Sequence, residues 1–164
     1  MTKRLILMRH AKSGWDDPTL DDIERPLNER GRKSAAALGD WLNTNGYQPD
    51  AVISSSASRT RETFDLLNVD AAVTFKQELY LASAGVMLKW LKTCTDDTVL
   101  MVGHNPGIAD LADRILMAPP EHNQFPFFPT GSTLVCDFPI TNWADASSAS
   151  AQVVDFIVPR DLID

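Results

Sequence analysis

Arg9 and His10 close the apolar run Leu5-Ile6-Leu7-Met8. His104 closes a second run, Val99-Leu100-Met101-Val102-Gly103, and Arg59 follows a third apolar segment that begins at Ala51. A neutral imidazole, with an unperturbed pKa of about 6.5, is a nucleophile near neutral pH without a separate base. His10 can therefore attack phosphorus, and the phosphohistidine so formed divides one displacement into two, with water completing the second. Negative charge gathers on three phosphoryl oxygens as the bonds change. The forked N-H groups of Arg9 and Arg59 suit paired oxygens of that kind, and a protonated His104 adds a third cationic donor whose charged form the anion itself favours. Each residue also has an ordinary explanation. A lone histidine after a strand is commonly a hydrogen-bonded structural residue, Arg9 can be a solvated rim charge, and Arg59 can pair with Glu62 on its own helix face. Their joint placement selects the phosphoryl-transfer chemistry.

That placement follows from the elements the pattern predicts. Leu5 to Met8 and Val99 to Val102 are apolar without alternation, as in strands of a parallel sheet covered on both faces. Asn28 can cap a helix from about Glu29 to Asn45 with Leu38, Trp41 and Leu42 on one stripe, and Gly46 can end it. A short strand over Ala51 to Ser54 precedes a helix started by Ser58, which carries Arg59 in its first turn. A strand over Val73 to Lys76 and a helix over Ala84 to Thr93 burying Val86, Leu88 and Leu91 come next. Pro106 suits the first turn of a further helix with Ile108, Leu111, Ala112, Ile115 and Leu116 on its apolar face. A proline-rich stretch leads to two last strands, Thr133 to Phe138 and Gln152 to Val158. This alternation predicts a three-layer α/β/α fold with a mostly parallel central sheet of about five to six strands, one of them antiparallel. In such sheets ligands bind at the carboxyl ends of the strands, where Arg9, His10, Arg59 and His104 all fall.

The bulk properties agree with a small soluble enzyme. The 164 residues suit one domain, 1–164, with no internal repeat or linker; they are 44% hydrophobic and 23% charged. A net charge of −7 disfavours nucleic acid or an anionic membrane as a partner, so an anion site must be a local basic island. Cys94 and Cys136 lie in no CxxC or zinc spacing and read as reduced thiols, and the N-terminal apolar run is too short for a signal peptide or a membrane span. A cytoplasmic location is expected. The three histidines and two cysteines show no paired metal-ligand spacing, so neither metal nor cofactor is expected.

Three segments, Arg9-His10-Ala11-Lys12-Ser13, Ser54-Ser55-Ser56-Ala57-Ser58-Arg59-Thr60-Arg61-Glu62-Thr63 and Val102-Gly103-His104-Asn105-Pro106-Gly107, resemble the histidine phosphatase superfamily. The match is nearest to its small SixA-type phosphohistidine phosphatases. The resemblance runs in order from residue 3 to about residue 138, and the three motifs together are specific although each is short. It implies His10 as the phosphorylated nucleophile, Arg9, Arg59 and His104 as the phosphate pocket, Arg25 near the substrate phosphate, and no metal. Two departures stand out. Ala11 replaces the usual glycine after the first histidine. The proton donor of the branches that act on sugar or inositol phosphates has no obvious counterpart: one of its locations holds Asn105, and the other falls at Leu81, leaving Glu78 three positions early.

The missing acid bears on the substrate. An alkoxide benefits from protonation as it leaves, whereas imidazole leaving from a phosphoramidate can carry its own proton. Phosphohistidine on a protein partner is therefore the expected substrate. A small-molecule phosphomonoesterase is the alternative, and a non-catalytic phosphohistidine-binding module is the alternative of another class. Lys12, Ser13 and Asn105 are candidate phosphate donors, with Lys12 equally explained as a rim charge, and Glu78 is a candidate general acid. The acidic stretch Asp16, Asp17, Asp21, Asp22 and Glu24 is either a solvated loop or a partner of the basic island until substrate arrives. Phe125-Pro126-Phe127-Phe128-Pro129 either packs on the sheet or joins Trp15 as a docking surface, and His122 is expected to be exposed. Neither the partner's identity nor the oligomeric state is readable.

Overall fold

The computed structural model describes residues 1–163. Its elements are β1 (Lys3–Arg9), α1 (Glu29–Thr44), β2 (Ala51–Ser55), α2 (Ser58–Leu67), β3 (Ala72–Lys76), α3 (Ala84–Leu91), β4 (Thr98–Gly103), α4 (Gly107–Ile115), β5 (Thr133–Phe138) and β6 (Gln152–Ile157). Short 3-10 turns lie at Asp22–Glu24, Gln77–Leu79, Trp143–Asp145 and Pro159–Asp161. The six strands form one sheet in the order β3-β2-β4-β1-β5-β6. The β3, β2, β4 and β1 strands run parallel, and β5 is antiparallel to both β1 and β6.

The unbroken apolar runs of β1 and β4 are explained by two cores, one on each face. Leu5, Leu7, Val99 and Met101 pack on one face with Ala84, Met87 and Leu91 of α3 and with Ile108, Leu111, Ala112 and Ile115 of α4. Ile6, Met8, Leu100 and Val102 pack on the other face with Leu38 and Leu42 of α1 and Leu67 of α2. Successive side chains of a strand point to opposite faces, so a strand covered twice can be apolar at every position. Each fully buried aliphatic side chain here contributes about 1.5–3 kcal/mol.

Helix ends follow local chemistry, with two departures from expectation. Asn28 caps α1, its side-chain oxygen accepting from Gly31 N at 2.8 Å. Ser58 does not cap α2. Ala57 holds the cap position, and the polar work passes to Ser55, whose Oγ accepts from Ala57 N at 3.2 Å, and to Thr60, whose hydroxyl reaches Ser55 O at 2.7 Å. In α3 the expected burial of Val86 fails. Ser83 caps the helix by accepting from Val86 N, and this start turns Ala84, Met87 and Leu91 inward while Val86 stays exposed and Leu88 half-buried.

Two glycines let the backbone close around the end of β1. Gly131 has φ of +79°, and its N-H reaches the His10 carbonyl at 2.9 Å. Gly31, in the first turn of α1, lies against the loop that follows His10: a Cβ there would sit 2.0 Å from Lys12 O. A Gly31→Ala substitution therefore forces α1 away from that loop. We expect it to destabilise the fold by about 2 kcal/mol or more, read as a lower urea midpoint, as overpacking against backbone does. An unchanged midpoint would show that the contact can relax freely.

Candidate active site

Strand register assembles the site. Arg9 pairs with Gly103 across β1 and β4, so the next residue of each strand, His10 and His104, emerges at the same sheet edge. Their ring centroids lie 5.2 Å apart. The first turn of α2 brings Arg59 to this edge, and the Asp22–Glu24 turn brings Arg25. His10, Arg25, Arg59 and His104 are all buried, at 5%, 7%, 3% and 2% exposure. They line an open pit of about 530 Å³ together with Arg9, Lys12, Ser13, Trp15, Asp22, Leu81, Asn105 and Thr130.

The protonation state of His10 can be read from its contacts. Its Nδ1 lies 2.6 Å from the Ala11 carbonyl. A carbonyl only accepts, so Nδ1 carries the proton and Nε2 holds the free lone pair. Burial pushes the His10 pKa down to about 3 with the help of the Arg59, Arg9 and Arg25 charges, against the opposing pull of the Ala11 hydrogen bond. The ring is thus a neutral imidazole with a free Nε2 lone pair at any pH near neutrality. Ala11 is fixed in turn, its N-H donating to Thr63 Oγ1 at 3.0 Å while the Thr63 hydroxyl donates to Arg59 O at 2.7 Å.

His104 is held by Ser55, with Nε2 2.7 Å from the serine Oγ. The Ser55 hydroxyl proton has no other acceptor among the described residues, so donating it to Nε2 satisfies both groups and leaves His104 Nδ1 as an N-H donor. Burial, then the neighbouring His10 and Arg59, pushes the His104 pKa down to about 3. The positive charge expected on His104 is therefore absent from this state of the site, and a bound anion is what would restore it.

Three buried nitrogen groups of the lining residues, Arg9 Nε, Arg59 Nε and His104 Nδ1, have no hydrogen-bond partner among the described residues. Leaving a buried donor unmet costs about 1–3 kcal/mol. Three such donors on residues that line one pit with His10 suit an anion with several acceptor oxygens. The other bonds of the arginines fix their direction. Arg9 Nη1 donates to Phe128 O at 3.1 Å. Arg59 donates from Nη1 to Asp22 O at 2.7 Å and from Nη2 to Asp22 Oδ2 at 3.0 Å. Arg25 donates from Nε to Asp22 Oδ1 at 3.0 Å and from Nη1 to Ser13 Oγ at 2.9 Å, and its guanidinium lies 3.6 Å from the Trp15 ring centroid.

Several expectations change against this geometry. Arg59 does not pair with Glu62, which accepts instead from Leu27 N and from Arg32. Glu78, the candidate acid, lies outside the pit: it is exposed, on the Gln77–Leu79 turn, and is not among the lining side chains, whereas Leu81 is. Ser13 faces Arg25, and Lys12 is exposed on the rim. Asn105 lines the pit while its amide nitrogen donates to the Phe127 and Phe128 carbonyls. The Phe125–Pro129 segment divides: Phe125 and Phe128 are buried against Phe156, and Phe127 is exposed. His122 is half-buried and bonded to Asp161 at 2.9 Å.

Of the acidic stretch, Asp22 alone enters the pit. Burial raises its pKa, but hydrogen bonds from Tyr80, Arg25 and Arg59 outweigh that and hold it at about 2, so it is a carboxylate at neutral pH and no proton donor. Ser55, Thr63 and Tyr80 were not anticipated as site residues. Ser55 had a signal, since it ends β2 at the same sheet edge as the histidines. Tyr80 had none.

Residues 5–82 match the family model for the histidine phosphatase superfamily (branch 1). An uncharacterized protein of Mycobacterium tuberculosis, Rv1276c, is 35% identical over 93% of this chain and 100% of its own length. Among solved structures, a candidate phosphohistidine phosphatase SixA from Nakamurella multipartitia superposes with a TM-score of 0.86 at 30% identity, covering 97% of each chain. Another from Agrobacterium tumefaciens gives 0.80 at 29% identity, over 96% of this chain and 99% of that one. With the family model matched through the first half and SixA-type structures matched along nearly the whole length, the chain belongs to the histidine phosphatase superfamily and is a phosphatase.

Proposed function

We propose that the chain removes the phosphoryl group from phosphohistidine on a protein partner, through a covalent intermediate on His10. The observation that carries this is the lining of the pit: its one carboxylate, Asp22, is bound to two guanidiniums and held at about 2, so nothing acidic stands ready to protonate an alkoxide. A phosphohistidine substrate needs less help, because its imidazole can leave with its own proton. His10 Nε2 attacks phosphorus, the substrate P-N bond breaks, and its electron pair returns to the departing imidazole. Arg9, Arg25, Arg59 and His104 Nδ1 take the charge of the three equatorial oxygens. Water then attacks phosphorylated His10, orthophosphate leaves, and the electron pair returns to His10 Nε2.

The surroundings support a protein as substrate. Trp15 and Phe127 are 73% and 69% exposed, and the pit is open rather than enclosed by a lid that would fit a small metabolite. The SixA-type likeness favours the same substrate class. Two unpaired cysteines suit a reducing cytoplasm, and no helix among the described residues is long and apolar enough to cross a membrane. Neither metal nor cofactor enters the proposed steps, so a chelator is expected to leave activity intact.

Phosphate release from a panel of a phosphohistidine protein, free phosphohistidine and sugar phosphates tests the substrate. The phosphohistidine protein should rank first, and rapid turnover of a sugar phosphate with phosphohistidine untouched defeats the assignment. His10→Ala should abolish both turnover and acid-labile labelling with the fold retained; full activity in that variant would refute covalent catalysis. Arg59→Ala should lower kcat/KM by about 10²–10³, as loss of a charge-stabilising donor does. Because the His10 pKa is depressed to about 3, kcat/KM should show no limb for protonation of the nucleophile between pH 5 and 8. Linkage gives a stability trend with the same origin. His10 and His104 take up protons below about pH 6.5 when unfolded but only near 3 when folded, so stability should fall as pH drops from 6.5 towards 3. Thermal melts at pH 7 and pH 4 check this, and His10→Asn should flatten the difference.

A further inference from the structure

We propose that Asp22 is the positioning residue of the phosphate site, aiming Arg25 and Arg59 at the transferring group while cancelling one guanidinium charge so that orthophosphate can leave. The proposal rests on the phosphoryl-transfer function above and assigns a device within it.

Every polar atom of Asp22 that can accept is spent on the site's cations or their anchor. Oδ1 accepts from Arg25 Nε at 3.0 Å, Oδ2 from Arg59 Nη2 at 3.0 Å, and the backbone oxygen from Arg59 Nη1 at 2.7 Å and from Arg25 N at 3.2 Å. The Tyr80 hydroxyl also donates to Oδ2, the oxygen that Arg59 Nη2 reaches. Both terminal nitrogens of the Arg59 fork are thus tied to one residue, and the group left over is the unpartnered Nε. A guanidinium held this way needs no reorientation when the phosphoryl oxygens spread in the transition state, and preorganised donors are worth most there. One carboxylate joins two arginines from different segments; its loss takes the Nε bond from Arg25, which keeps Ser13 and Gly14, and the Nη2 bond from Arg59, which keeps the Asp22 backbone oxygen, so the aim of both loosens.

Charge gives the second half. Arg9, Arg25 and Arg59 bring three positive charges to the pit, and both imidazoles are neutral. Asp22 cancels one, leaving two opposite the two negative charges of a phosphoryl dianion; Lys12 is exposed on the rim, where solvent and salt screen it. Three uncancelled guanidiniums would hold the product orthophosphate more tightly than turnover allows. Tyr80 contributes direction without charge.

Asp22→Asn, Asp22→Glu and Tyr80→Phe separate aim from charge. The measurements are kcat on the best substrate of the panel and the dissociation constant of inorganic phosphate by titration calorimetry, which needs no turnover. For Asp22→Asn we expect kcat to fall at least tenfold while phosphate binds at least threefold tighter. Asp22→Glu keeps the charge but not the reach, so phosphate affinity should stay within twofold of the wild type with kcat still at least tenfold down. Tyr80→Phe should lower kcat several-fold at unchanged phosphate affinity. A merely structural role would lower kcat and weaken phosphate binding together, and that pattern overturns the proposal, as does a kcat for Asp22→Asn within twofold of the wild type. Should Asp22→Asn fail to fold, wild-type kcat in both Asp22→Glu and Tyr80→Phe overturns it equally. A wild-type protein with no turnover of any panel member defeats the function itself; an active wild type with unresponsive Asp22 variants defeats this inference alone.

Discussion

The parallel pairing of β1 with β4, in the register that sets Arg9 opposite Gly103, is the constraint on which the site depends. It sends two imidazoles out of one sheet edge from segments far apart in the chain. A slip of one residue would turn every side chain of β1 to the other face, and because both faces are apolar the register is held by the shapes packed in each core and by end contacts such as Lys3 with Asp97 and Arg4 with Asp137. The geometry of the site is thus held by side-chain packing and strand-end contacts away from it.

Depth then does chemical work on the groups delivered there. Removing His10 and His104 from water among three arginines favours their neutral forms, which suits a nucleophile and leaves His104 as a donor whose charge depends on the anion it meets. Two oxygens decide which nitrogen does what: the Ala11 carbonyl takes the proton of His10 Nδ1, and the Ser55 hydroxyl occupies His104 Nε2. The histidines could not exchange these roles without rebuilding both contacts. Cation and carboxylate balance in the same space, with Asp22 between Arg25 and Arg59.

Much of the fold was legible because its signals are periodic. Unbroken apolar runs marked the strands covered on both faces, Asn28 marked the start of α1, and the alternation of elements implied a mostly parallel sheet with one antiparallel strand from the C-terminal pair, which proves to be β5. The errors lie where helix phase depends on the cap. In α3 the apolar residues Val86, Met87 and Leu88 are consecutive, so composition could not say which of them faces inward. The same limit applied at the site. Glu78 and Leu81 are three residues apart, and only the turn at Gln77–Leu79 decides that the acid is outside the pit and the leucine beside it. Arg59 had Glu62 as its acidic partner by sequence, but Glu62 is bonded to Arg32 and Leu27, and Arg59 meets Asp22 instead.

The amino-acid sequence by itself determined which side chains could act and where each would leave its strand or helix: His10, His104, Arg9 and Arg59 all sit at element ends, a property of local pattern. Tertiary structure alone decided their protonation, their aim and their company. Those depend on burial and on contacts such as Asp22 with Arg59, Tyr80 with Asp22 and Ser55 with His104, each joining residues from separate elements. Local periodicity specifies a side chain's place along its own element, but the distance between two elements, and hence the field and hydrogen bonds between their residues, is set by how the cores on both faces of the sheet pack.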